Sequence, residues 1–158
     1  FYTGILPICQ GESGVAVVMG HEVAHAIAEH GRERMSRAML AQGFTQVGAI
    51  AAGVATGDER VMQTAGQVLG IGTQLGGVLP NSRKQESEAD KLSLIFMAMA
   101  GYNPNEAVAF WQRMEEAGKN SQKPPQLLST HPADATRIAD LSKNMDKAMK
   151  YYYAYGNK

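Results

Sequence analysis

The sequence predicts a mainly α fold, and three observations carry that prediction. Apolar residues recur at helical spacing along most of the chain. Breaks rich in Gly, Pro and Asn cut the chain into pieces of helix length. Only the first six residues, Phe1 to Leu6, are apolar and β-permissive, which leaves room for at most a small β segment ending at Pro7. With 158 residues, the chain is expected to form one domain, 1–158, with a sizeable core.

The elements follow in order. Ser13 to about Arg34 contains no proline and carries Val15, Val18 and Ala26 at near-helical spacing, so it reads as one helix. Ser36 to Thr56 and Glu59 to Val78 read as two Gly/Ala-rich helices divided by Gly57-Asp58. Asn81-Ser82 and Gly101 bracket a helix whose Leu92, Ile95, Phe96 and Met99 face a core. Asn103, Pro104 and Glu106 form a capping box opening a helix that Gly118 closes. Lys119 to Thr130, holding Pro124-Pro125, is expected to be a loop, and Pro132 to open a last helix carrying Ile138, Leu141 and Met145.

Composition removes several classes. At 44% hydrophobic and 19% charged, the sequence folds. Fifteen basic residues balance fifteen acidic ones and form no cluster, which argues against a nucleic-acid partner. The single Cys9 excludes an internal disulfide framework and any CxxC site. No run of about 18 uncharged apolar residues is legible, so no transmembrane helix is expected. The nearest candidate, Phe44 to Leu79, is interrupted by Asp58-Glu59-Arg60 and reads as two small-residue helices packed closely, or as a membrane-touching surface. The opening Phe1-Tyr2-Thr3-Gly4 has no targeting character and reads as the interior of a longer protein, with any signal or lipid anchor outside it.

Residues 21–25 read His-Glu-Val-Ala-His. On a helix, positions four apart lie on one face about 6 Å apart along the axis. Two imidazoles there can converge on one Zn²⁺, while Glu22 borders the same face and can reach a metal-bound water without binding the metal. A hydrolytic site needs a third protein ligand, and Glu86-Ser87-Glu88-Ala89-Asp90 supplies the candidates. Glu86 and Asp90 share a helix face, so one can bind metal while the other accepts the free N–H of a ligating His. Periodicity does not exclude Glu88. His30, half a turn round from His21 on the same expected helix, reads as solvated. A di-metal carboxylate protein is disfavoured, since it would need a pair of Glu-x-x-His motifs.

Gly20-His21-Glu22-Val23-Ala24-His25, preceded by Thr3-Gly4-Ile5-Leu6-Pro7 and followed by Arg83 to Asp90, resembles the HtpX/CAAX-prenyl-protease type of zinc metallopeptidase. Gly101-Tyr102-Asn103-Pro104 and Ser129-Thr130-His131-Pro132, with Arg137-Ile138 behind, extend the resemblance over nearly the whole chain. Within that family it resembles the soluble bacterial cell-envelope branch typified by BepA and LoiP. The resemblance implies a gluzincin core with one Zn²⁺ held by His21, His25 and Glu86, and Asp90 behind a ligating His. It also implies that His131 and Arg137 lie near the metal as catalytic residues, either one helping zinc to stabilise the oxyanion, with His131 alternatively binding zinc in a closed, inactive state.

The implied activity is endoproteolysis of misfolded or unassembled cell-envelope polypeptides, bound extended. Glu22 would act as general base on zinc-bound water, at a periplasmic or membrane-associated location. Relatives carry an extended segment ahead of the Thr-Gly-Leu-Leu-Pro-like stretch, so part of the cleft is expected to lie upstream of Phe1. The rival expectation is a chaperone-like or latent assembly module, its metal closed off by His131 and hydrolytically silent. The alternative reading of His131 itself is a helix cap before Pro132, and that of Arg137 a surface ion pair.

Overall fold

The computed structural model describes residues 3–119, 131 and 135–156, and among these it is helical throughout, with no strand. The helices are α1 (Leu6–Cys9), α2 (Glu12–Ile27), α3 (His30–Thr56), α4 (Glu59–Thr73), α5 (Leu79–Met99), α6 (Asn105–Lys119) and α7 (Ala135–Tyr155). The chain divides into two compact units, Phe1–Ala28 with Glu86–Lys158, and Glu29–Gln85.

In the first unit the opening segment is not a strand end. Thr3–Ile5 forms a 3₁₀ turn running into α1, whose first turn holds Pro7 where a missing N–H leaves no helical bond unmade. Gln10 and Gly11, both at positive φ, then turn the chain into α2. The buried stripe of α2 is Gly14, Val17, Val18, His21, Ala24 and His25. Its apolar members join Leu94 and Met97 of α5, Phe110, Trp111 and Met114 of α6, and Leu141 and Ala148 of α7 in one core. Gly20 lets α2 approach α5 closely, since a Cβ there would sit 3.3 Å from the Ser93 carbonyl oxygen. At Gly101 (φ 85°) the chain reverses after α5, with the Tyr102 N–H donating to the Met97 carbonyl at 2.9 Å. Asn103 caps α6 by accepting from the Asn105 N–H at 3.0 Å. The helix runs one residue past Gly118, to Lys119. Residues 120–130 and Pro132, the expected loop and helix opener, lie outside the described residues.

The second unit holds α3 and α4, parted at Gly57 in a left-handed conformation (φ 67°), with Asp58 capping α4 through the Arg60 N–H at 2.8 Å. They pack through small residues: a Cβ on Gly48 would lie 2.5 Å from Leu69 Cδ1, and one on Gly53 2.8 Å from Met62 Cβ. Two expectations change here. The helix expected over Ser13–Arg34 breaks at Ala28–Glu29, where Glu29 is left-handed (φ 54°). The break resets the helical phase, so His30 begins α3 and is buried instead of solvated.

Nor does Asn81-Ser82 start a helix: α4 continues through a π-helical turn, Gln74–Val78, into α5. The membrane reading also changes. α3 is long and apolar enough to cross a membrane by length and composition. Residues 38–57 carry no charge, and it was the Gln, Thr and Gly among them that obscured the run.

Gly14 is the tightest small-residue site, because a Cβ there would lie 2.0 Å from the Cys9 carbonyl oxygen, which cannot move without α1. Gly14→Ala is therefore expected to cost about 1–3 kcal/mol in urea denaturation. Gly43→Ala, which meets nothing within 4 Å in α3, should stabilise by a few tenths to about 1 kcal/mol. Equal effects of the two would contradict the packing described.

Candidate active site

The buried stripe of α2 carries two imidazoles where a core helix would carry leucine, and burial obliges each to find a partner. The partners come from α5, whose buried face reads Glu86, Asp90 and Ser93, at i, i+4 and i+7. Glu88, the alternative that periodicity left open, is exposed. His131, ahead of α7 in the chain, and Arg137, on α7, complete the cluster, both buried.

Donor atoms crowd to one point. His25 Nε2 lies 3.0 Å from His21 Nε2, and His131 Nδ1 lies 3.2 Å from the same atom. Glu86 Oε2 is 3.1 Å from His21 Nε2 and 2.8 Å from His131 Nδ1, while Glu86 Oε1 is 3.3 Å from His25 Nε2. Yet Glu86 Oε1 is buried and receives no hydrogen bond. Three ring nitrogens and a carboxylate facing one another suit a shared cation better than one another. A tetrahedron with arms of about 2.0 Å has edges of about 3.3 Å, close to the separations seen here. His21, His25, Glu86 and His131 can each offer a ligand atom, all within 4.8 Å of one another. The set of imidazole and carboxylate donors fits zinc.

Behind this cluster, His21 Nδ1 lies 3.0 Å from Asp90 Oδ1, which fixes the proton on Nδ1 and turns the Nε2 lone pair toward the other donors. Arg137 clamps Asp90 with two bonds, Nε to Oδ2 at 2.6 Å and Nη2 to Oδ1 at 2.7 Å. Its Nη2 is 3.2 Å from both His21 ring nitrogens, a position against the ring and not on one lone pair. The indole of Trp111, from α6, lies against a face of the guanidinium, with its ring centre 3.5 Å from the central carbon. Trp111 is the residue that sequence reasoning missed. Its position on α6 marks it as core, and nothing in the local pattern says that it faces Arg137.

Electrostatics follow the geometry. Burial works against ionising Glu86 and Asp90, but it is outweighed. The close imidazoles of His131, His21 and His25 hold Glu86 far below the usual carboxylate range, and His21 and Arg137 lower Asp90. Burial also opposes a charge on His21, yet Asp90 and Glu86 raise its pKa. For His25 burial prevails and the pKa falls. Glu22 stands apart at the rim: its side chain is 47% exposed, and its Oε1 is 3.4 Å from His131 Nε2. The structure thus gathers His21, His25, Glu86, Asp90, His131 and Arg137 in one cluster, with Glu22 at its edge.

Residues 1–145 match peptidase family M48. The chain is 34% identical over 147 residues to a mitochondrial metalloendopeptidase OMA1 of Schizosaccharomyces pombe, covering 93% of this chain and 41% of that protein. It is 34% identical over 157 residues to the OMA1 of Saccharomyces cerevisiae, covering 96% and 42%. With the β-barrel assembly-enhancing protease of Escherichia coli it shares 26% over 142 residues, covering 88% and 28%. The chain thus spans less than half the length of these relatives. The search of solved structures returned no significant match.

If Asp90 fixes the orientation of His21, Asp90→Asn should weaken zinc binding about 10–100-fold, read by competition with a chromophoric chelator. Unchanged affinity would remove Asp90 from the site.

Proposed function

Because this chain belongs to peptidase family M48, we propose that it is a zinc-dependent metalloendopeptidase, with the whole of 1–158 serving one catalytic domain. The observation that supports this most is the convergence of two His from an HExxH helix with a buried, hydrogen-bond-deficient Glu86 oxygen. His21, His25 and Glu86 would hold the metal. When bound, zinc would supply Lewis acidity, polarising the scissile carbonyl and acidifying water.

The remaining work falls to the chain's own side chains. Glu22, at the exposed rim, takes the proton of the attacking water and passes it to the departing amine. His131, whose Nε2 lies beside Glu22, donates to the oxyanion as it forms. Arg137 has Nε and Nη2 committed to Asp90, so its part is to hold Asp90 and through it His21. Substrates on this reading are misfolded or unassembled polypeptides of the cell envelope, bound extended. The location is the bacterial envelope, periplasmic or membrane-associated. The β-barrel assembly-enhancing relatives support the envelope assignment, and the exposed apolar length of α3 supports the membrane association.

A second reading has one observation in its favour. His131 Nδ1 sits inside the donor cluster, so His131 as a fourth ligand would close the metal and leave a latent, chaperone-like module. Casein degradation by zinc-loaded protein separates the two. The peptidase reading expects cleavage that a chelator abolishes and that Glu22→Gln reduces at least about 10²-fold while still binding zinc. Cleavage that survives Glu22→Gln would sink it. His131→Ala should lower activity if His131 serves the oxyanion, and raise it if His131 is the closing ligand.

A further inference from the structure

We propose that Trp111 is a positioning residue for His21, acting through Arg137 and Asp90 without touching metal or substrate. The proposal rests on the metal-site reading above and adds to it the element that sets the plane of the supporting ion pair.

A buried arginine beside a cation site meets two difficulties. Its charge is taken out of water, and its long side chain has many rotamers. Asp90 answers the first by accepting from Nε and Nη2, a bidentate contact that fixes one edge of the guanidinium. Nη1 also lies 3.4 Å from Glu86 Oε2, so both carboxylates hold the guanidinium in its plane and an aromatic face resists the tilt that remains. On one face is the Trp111 indole, 3.5 Å from the guanidinium carbon, a distance at which the ring's negative face attracts the cation. His21 lies beside the same guanidinium, with Nη2 3.2 Å from both ring nitrogens. Trp111 also meets His21 edge-on, with ring centroids 5.9 Å apart and planes at 70°.

Asp90 Oδ1 is shared between Arg137 Nη2 and His21 Nδ1. A guanidinium free to tilt would therefore drag the carboxylate that fixes the His21 proton and ring direction. Trp111 is 2% exposed and belongs to the hydrophobic core as well, so a core-filling role alone is the reading to be beaten. The two roles differ in what they ask of the ring. Core filling asks for apolar volume, whereas positioning asks for an aromatic face under a cation.

The test compares Trp111→Phe, which keeps a face, with Trp111→Met, which keeps apolar bulk without one. Each is made in the wild-type and Arg137→Met backgrounds. Zinc affinity is read by chelator competition. The proposal expects Trp111→Phe to stay within about threefold of wild type and Trp111→Met to lose about 10–100-fold. In the Arg137→Met background, Trp111→Met should cost less than about threefold, because the path is already cut. The same loss in both backgrounds would overturn the proposal in favour of plain packing.

A second readout needs no metal: the NMR resonance of the His21 Nδ1–H in metal-free protein. It should persist in Trp111→Phe and be lost or broadened in Trp111→Met and Arg137→Met. Persistence in all three would also overturn the proposal. Should Trp111→Met fail to fold, the Arg137→Met and Trp111→Phe resonances still decide. A wild type that binds no zinc would defeat the metal reading alone, leaving the resonance to judge Trp111.

Discussion

The first unit is organised by one constraint: α2 carries histidines on the same stripe that builds the core. An imidazole buried without a partner costs more than the packing around it returns, so the fold must bring polar groups inside to meet it. Gly20 permits the approach, because α5 can come close enough for Glu86 and Asp90 to reach His21 and His25. Two carboxylates inside would in turn be costly, and Arg137 from α7 offsets Asp90. The apolar core and the polar cluster are therefore one packing problem. Val17 and Val18 sit a turn away from His21 on α2, and Leu94 and Met97 a turn or two beyond Asp90 on α5.

Much of this was legible in the sequence, for reasons that can be named. The His21–His25 spacing fixes both side chains on one face whatever the rest of the chain does. The Glu86–Asp90 spacing does the same for the carboxylates. Choosing Glu86 over Glu88 required either a family pattern or the structure, because it depends on which face of α5 turns inward. Gly/Ala richness pointed to close packing of α3 and α4, and Gly57-Asp58 to the turn between them, but that Gly48 and Gly53 make the contact took the structure.

What stayed hidden was of two kinds. Local breaks that use no Gly or Pro, such as the left-handed Glu29, leave no composition signal, and with that break went the placement of His30. Continuity was misjudged in the opposite sense before Asn81-Ser82, where a π turn over Gln74–Val78 joins α4 to α5 without a break. Trp111 belongs with long-range pairings that no local pattern encodes. It reads as core and is core, and its contact with Arg137 depends on how α6 meets α7.

The central claim is that two imidazoles of α2 and a carboxylate of α5 bind one metal ion. X-ray absorption spectroscopy of the protein loaded with one equivalent of zinc tests it most directly. The expected first coordination sphere holds nitrogen and oxygen only, at about 2.0–2.1 Å, with imidazole multiple scattering from at least two histidines. A sulfur scatterer near 2.3 Å, or a sphere of water oxygens without imidazole scattering, would contradict it.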